Sequence, residues 1–230
     1  MSITSAHAGD STWPRTHTAT GLRAVIFDMD GVLVDSFAVM REAFALAYRE
    51  VVGDGPAPFD EYRKHLGRYF PDIMDIMGLP QAMLDPFVRE SYRLARQVTL
   101  FDGVRELLAQ LRQRDLSLAV ATGKSTSRAR SLLEQLDVLP MFDQVIGSDE
   151  VPRAKPAPDI VLRALKLLQV DADKAVMVGD AWTDLVSARS AGVRAIAAMW
   201  GESDEAILLA HEPAALLRHP RDLLRYCAAR

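Results

Sequence analysis

Residues 24–36 read AVIFDMDGVLVDS, an apolar, β-prone run that ends abruptly at Asp28 and continues through Asp30 and Gly31. A strand without polar alternation is buried on both faces, as in a parallel sheet covered by helices on each side. Asp28 would then stand at the carboxyl end of that strand, with Gly31 letting the chain turn away. Two later segments repeat the pattern. LAVATGKS, residues 118–125, ends an apolar run at Thr122, and AVMVGDAWTDL, residues 175–185, ends one at Asp180 with Asp184 one helical turn on. RAKPAPD, residues 153–159, adds Lys155 in a proline-rich loop. If the strands are parallel neighbours, these side chains meet at one sheet edge, where open α/β sheets hold their ligands.

Outward from this stretch, strands are expected at 23–27, 117–121, 144–146, 175–178, 194–198 and near 214–217. Helices are expected at 104–113, 128–136, 158–168, 182–191 and from Pro220. Such alternation implies right-handed βαβ crossovers and a doubly wound parallel sheet. Residues 37–100 interrupt it with helical spacing alone. Phe37, Met40, Phe44, Ala47 and Val51 share one face of a helix that stops at Gly53, and further helices are expected at 59–66, 72–77 and 81–97. The expected organisation is a Rossmann-like α/β core of residues 21–36 and 101–230, an inserted α-helical cap at 37–100, and a flexible tail at 1–20.

About half of the 230 residues are hydrophobic (49%), enough to bury a substantial core. The formal charge of −4 is mild, and the basic residues form no run, so a nucleic-acid partner is not expected. No stretch reaches the roughly 18 apolar residues of a membrane span. The lone Cys227 excludes an intrachain disulfide and a thiolate metal cluster, and such sparing cysteine use fits a reducing cytoplasm. A small-molecule partner is expected; the sequence leaves the oligomeric state open.

Acidic residues converging at one edge repel one another by on the order of 4 kcal/mol per close pair at an effective dielectric of about 20, so a cation must sit among them. Mg²⁺ fits best, since it prefers oxygen ligands and is held by one or two carboxylates, waters and a substrate phosphate. With Lys155 as a second positive charge, the crevice would favour a dianionic phosphoryl group. Thr122 and backbone N–H groups near Gly123 would donate to its oxygens. Asp28 is then placed to attack phosphorus and form an aspartyl-phosphate. Asp30 would protonate the leaving oxygen and later deprotonate the attacking water.

These four segments resemble the four motifs of the haloacid dehalogenase-like superfamily, from about Arg23 to the C-terminus. The resemblance implies Asp28 as nucleophile, Asp30 as acid/base, Thr122 and Lys155 as the second and third motif residues, and Asp180 and Asp184 as the acids of the fourth. It also implies a metal on Asp28, Asp180 and the main-chain carbonyl of Asp30, with Asp184 near its water shell. The insert resembles the helical cap of phosphoglycolate phosphatase-like and β-phosphoglucomutase-like members, which contacts the leaving group. Within it, HLGRYF makes Arg68 a candidate for a substrate oxygen or second anion, ahead of His65 and Tyr69.

Val32 stands where many relatives have Thr, Asp102 where many have Pro, and Thr122–Lys124 replaces the more frequent Thr-Asn-Lys, leaving Lys124 to orient the next helix or touch the cap. FDMDGVLVDSFAVMREAF and HLGRYFPDIM are further similar to the phosphatase-like proteins associated with 3-amino-5-hydroxybenzoate synthesis in ansamycin-type antibiotic pathways. That similarity implies a phosphorylated aminosugar or similar precursor. The expectation is a Mg²⁺-dependent cytoplasmic phosphatase acting on a small phosphate monoester. A phosphomutase and a non-catalytic pathway scaffold are the alternatives. A dehalogenase is disfavoured, because carbon–halogen cleavage does not require Asp30.

Overall fold

A computed structural model describes residues 21–227; the tail expected at 1–20 lies outside them. The chain enters its sheet with β1 (Ala24–Phe27), turns, and forms the short β2 (Val34–Asp35). Four helices follow: α1 (Phe37–Val51), α2 (Phe59–Arg63), α3 (Phe70–Met77) and α4 (Leu84–Leu94). The chain returns through β3 (Thr99–Leu100), which pairs antiparallel with β2. Regular alternation then runs through α5 (Val104–Gln113), β4 (Ser117–Thr122), α6 (Thr126–Gln135), β5 (Gln144–Gly147), α7 (Asp159–Leu168), β6 (Ala175–Gly179) and α8 (Trp182–Ser190). It closes with β7 (Arg194–Ala198), α9 (Glu205–Leu209) and β8 (Ala215–Leu217).

The six-stranded sheet has the order β5-β4-β1-β6-β7-β8, with every pair parallel. Its strands go to one side of β1 first and to the other side afterwards. The topological switch therefore lies beside β1, and the carboxyl ends of β4, β1 and β6 border one crevice. This is the doubly wound α/β arrangement expected from the sequence.

Strand alternation divides the core. Val25, Phe27, Leu118, Val120, Val176 and Val178 face α5 and α6, and that cluster runs on into the inserted helices through Phe44, Met74, Met83 and Phe87. Ala24, Ile26, Ala119, Ala121 and Met177 face α7 and α8, where Ile160, Val161, Ala164, Leu185 and Ala188 close the other side. Every residue of β1 is buried, which is why its sequence shows no polar alternation.

Several expectations shift. The β2–β3 ribbon joins the inserted helices to the core, yet strands of two residues leave no periodicity to read. Helix α2 ends at Arg63 rather than at residue 66. Beyond it Lys64, His65 and Leu66 bond back three residues, to Glu61, Tyr62 and Arg63, tightening into a 3₁₀-like turn that brings the next loop to the core. Helix α9 was not expected; Asp204 caps it, accepting from the Ala206 N–H at 2.7 Å. The helix expected from Pro220 is 3₁₀ rather than α, over Pro220–Arg225.

Candidate active site

Three aspartates gather behind and within the crevice. Asp28 follows β1, Asp180 follows β6, and Asp184 lies in the first turn of α8; one carboxylate oxygen from each falls within 4.8 Å of the others. All three are buried. Lys155 is buried with them, its ammonium donating to Asp28 Oδ1 at 2.7 Å, to Asp184 Oδ1 at 2.6 Å and to the Ala121 carbonyl at 3.1 Å. The second Asp184 oxygen accepts from the Ala181 N–H at 3.1 Å, and Asp180 Oδ2 accepts from the Glu202 N–H at 3.1 Å. Gly31, at φ +75°, makes the turn after Asp28 possible; a Cβ there would meet Asp180 Oδ2 at 2.1 Å.

Charge in this cluster does not balance. With all three carboxylates ionised, one ammonium would leave two negative charges out of water. Burial pushes the Asp28 carboxyl up; Lys155 pulls it down, Asp184 and Asp30 push it back, and it settles at about 7. Burial and then repulsion from Asp184 and Asp28 hold Asp180 well above the usual carboxylate range. Burial opposes the Lys155 charge, but Asp184 and Asp28 outweigh it and raise its pKa, so it stays an ammonium. A divalent ion bound by hard oxygen donors would supply the missing two charges, so these residues fit Mg²⁺. Asp28 and Asp180 line the crevice, whereas Asp184 and Lys155 stand behind its wall.

Asp30 is set apart. Its carboxylate takes both oxygens to the Lys124 ammonium and accepts from the Ser36 hydroxyl. Burial raises its pKa, but Lys124, Ser36 and Arg128 outweigh that and hold it below the ordinary value. Its side chain is outside the three-carboxylate cluster. Thr122 is fully buried behind the wall; its hydroxyl accepts from the Lys124 N–H at 3.2 Å, and its carbonyl accepts from Ser148 Oγ at 3.1 Å.

The far wall comes from the inserted helices and the loop before α3. Tyr62, Phe70, Phe87 and Arg68 line the same crevice as Asp28, Asp30, Gly123 and Lys124. Where the walls touch, the fit is tight. A Cβ on Gly123 would lie 2.5 Å from the Arg68 carbonyl oxygen, so the glycine of the Thr-Gly-Lys triplet is the residue that admits the opposite loop. The Leu66 carbonyl accepts from Thr183 Oγ1 at 2.9 Å. The Arg68 guanidinium lies 5.3 Å from the Trp182 ring, and its Nε is buried without a hydrogen-bond partner among the described residues. His65 and Tyr69 are not among the lining residues; His65 sits 3.5 Å from Glu61. Arg128, Ser36 and Glu202 also line the crevice, and no sequence signal marked them out.

Fold and site together define an α/β protein whose candidate site lies at the carboxyl edge of a parallel sheet. The chain belongs to the haloacid dehalogenase-like hydrolase family, whose model matches residues 25–198. Among curated relatives, the "Probable phosphatase IndB" of Dickeya dadantii is 35% identical over 203 residues, 82% of this chain and 86% of that protein. The phosphoglycolate phosphatase of Chromobacterium violaceum is 34% identical over 199 residues, 81% and 89% of the two chains. A solved haloacid dehalogenase-like family hydrolase from Streptococcus pneumoniae superposes with a TM-score of 0.76 at 27% identity, covering 91% of this chain and 100% of that one.

Proposed function

We propose that this protein is a Mg²⁺-dependent phosphatase that hydrolyses a small phosphate monoester through a phosphorylated Asp28. The observation that carries the reading is the cluster of Asp28, Asp180 and Asp184 around Lys155, short of positive charge, at the switch point of the sheet. Asp28 and Asp180 would hold the ion from the crevice side, with the Asp30 main-chain carbonyl, and Asp184 would support them from behind. When bound, Mg²⁺ supplies positive charge to the carboxylates and to a phosphoryl oxygen.

Lys155 fixes Asp28 Oδ1 and opposes its charge, leaving the other oxygen to attack phosphorus. As the bond from Asp28 to phosphorus forms, the bond from phosphorus to the leaving oxygen breaks, and Asp30 delivers a proton to that oxygen. Water then attacks the same phosphorus, Asp30 takes its proton, and Asp28 and inorganic phosphate are released. Because Lys124, Ser36 and Arg128 hold Asp30 ionised without substrate, it would take up its proton from solvent or from a monoanionic substrate once an incoming phosphate competes for Lys124. The helices of residues 37–100 act as a cap that closes over this chemistry and excludes water other than the nucleophile.

The test is phosphate release from a panel of phosphoglycolate, hexose phosphates, aminosugar phosphates and a generic aryl phosphate, with and without Mg²⁺. Release that requires Mg²⁺ and disappears in Asp28→Asn supports the reading. Interconversion of sugar phosphates without phosphate release would make the protein a phosphomutase instead. Turnover that survives Asp28→Asn or chelation would overturn the proposal.

A further inference from the structure

Arg128 lines the crevice, yet the proposed chemistry gives its guanidinium no contact with the substrate. It lies in the first turns of α6 with 8% of its surface exposed, and it lines the crevice together with Asp28, Asp30 and Lys124. Its guanidinium makes no ion pair and no hydrogen bond among the described residues; it lies over the Phe87 ring of α4, 5.2 Å from centroid to guanidinium carbon. Asp30, the nearest carboxylate in electrostatic terms, is already committed to Lys124 and Ser36. No nitrogen of Arg128 is both sealed from solvent and unpartnered, so the guanidinium opens onto the crevice, where its planar fork matches a carboxylate in two-point contact.

The surroundings narrow the ligand. Tyr62, Phe70 and Phe87 give the crevice an aromatic wall on the side of the inserted helices, and Arg128 also borders a second recess lined by Val39, Met40, Ser91 and Tyr92. An apolar or planar body therefore fits between the phosphoryl site and Arg128. Lys124 is balanced by Asp30 and Arg68 lies over the Trp182 ring, which leaves Arg128 as the cation facing the Phe87 side of the crevice. One positive charge matches one carboxylate rather than a second phosphate dianion.

We infer that Arg128 is a specificity-determining residue that binds a carboxylate carried by the leaving group of the substrate, with the rings of Tyr62, Phe70 and Phe87 covering the body between. The inference rests on the phosphatase reading and names its substrate class. It concerns selection rather than bond breaking. A tuning role through Asp30 would instead slow all substrates alike, and a packing role on Phe87 would show in stability alone.

The experiment compares 4-carboxyphenyl phosphate with 4-carbamoylphenyl phosphate, its neutral near-isostere, by kcat/KM in the full chain with Mg²⁺. The wild type is expected to prefer the acid by about tenfold or more, mainly through KM. Arg128→Met should bring the acid-to-amide ratio to near one, and Arg128→Lys should retain part of it. A wild-type ratio near one, or a ratio that survives Arg128→Met, overturns the inference. If Arg128→Met fails to fold, the wild-type ratio and Arg128→Lys decide, since a full ratio in the lysine variant contradicts two-point binding. Hydrolysis of neither substrate would strike the phosphatase reading itself, whereas equal hydrolysis of both strikes only the role of Arg128.

Discussion

The two walls of the crevice are built on opposite plans. The sheet-edge wall concentrates charge: three buried aspartates and a buried lysine, with Asp180 and Asp184 held by backbone N–H groups, Lys155 by the Ala121 carbonyl and Asp28 by Lys155. The wall from the inserted helices concentrates aromatic surface, with Phe70 and Phe87 stacked at 4.1 Å between ring centroids and Tyr62 beside both, and it meets the core through a few close contacts such as Gly123 against Arg68. A rigid charged wall suits chemistry common to many substrates. A separable aromatic wall suits selection among them, because its contacts can be remade each time the substrate changes.

Substitutions should divide along the same line. The largest effect is expected for Asp28→Asn, with loss of turnover on the order of 10⁴-fold and a retained fold, read as phosphate release alongside circular dichroism. Phe87→Leu on the opposite wall should instead raise KM with a smaller change in kcat; equal collapse of both variants would erase the distinction.

Next comes Lys155→Met, which removes the only ammonium from the cluster. Breaking a buried pair in this way costs about 3–5 kcal/mol, and denaturant unfolding should show it. A loss below about 1 kcal/mol would mean that the cluster is not electrostatically strained.

A pH series sharpens the same point. Asp28, pushed up to about 7, and Asp180, held higher than an ordinary carboxyl, both have folded pKa values above their unfolded ones. Groups raised in this sense favour the folded state at pH below about 4 and lose that contribution as pH climbs through about 7. The metal-free protein should therefore lose stability over this window. The rise in melting temperature produced by Mg²⁺ should grow over the same range, because the ion displaces protons from its ligands. A Mg²⁺ effect that shrinks as pH rises would contradict the assignment.

The smallest expected effect is Gly123→Asn, where the new side chain meets the Arg68 carbonyl. Overpacking of this kind costs about 1–3 kcal/mol, and the closed contact should loosen, which limited proteolysis of the loop before α3 would report.

Legibility in the sequence followed burial. The strands that end at Asp28, Thr122 and Asp180 could be read because each is a fully apolar run cut off by a polar residue, so the position of the site came with the fold. The convergence of Asp28, Asp180 and Asp184 was legible for the same reason. Lys155 was readable as a cation at the edge but not as the partner of Asp28 and Asp184, since pairing across loops leaves no local trace. Arg128 carried no signal beyond opening an expected helix, since the Phe87 ring it lies against comes from the distant α4. Gly123 was expected to help bind a phosphoryl group through backbone N–H groups, while the space it keeps is set by a carbonyl from another part of the chain. Features made by one segment were readable, and features made where two segments meet were not.

The central claim is tested most directly by trapping the intermediate. The protein is mixed with a phosphate monoester and Mg²⁺, quenched in acid within one turnover and treated with borohydride, which converts an acyl phosphate to the corresponding alcohol, and the peptides are then read by mass spectrometry. The account predicts homoserine at the position of Asp28 and nowhere else. Phosphate release with Asp28 unaltered, or with the label on another residue, would contradict it.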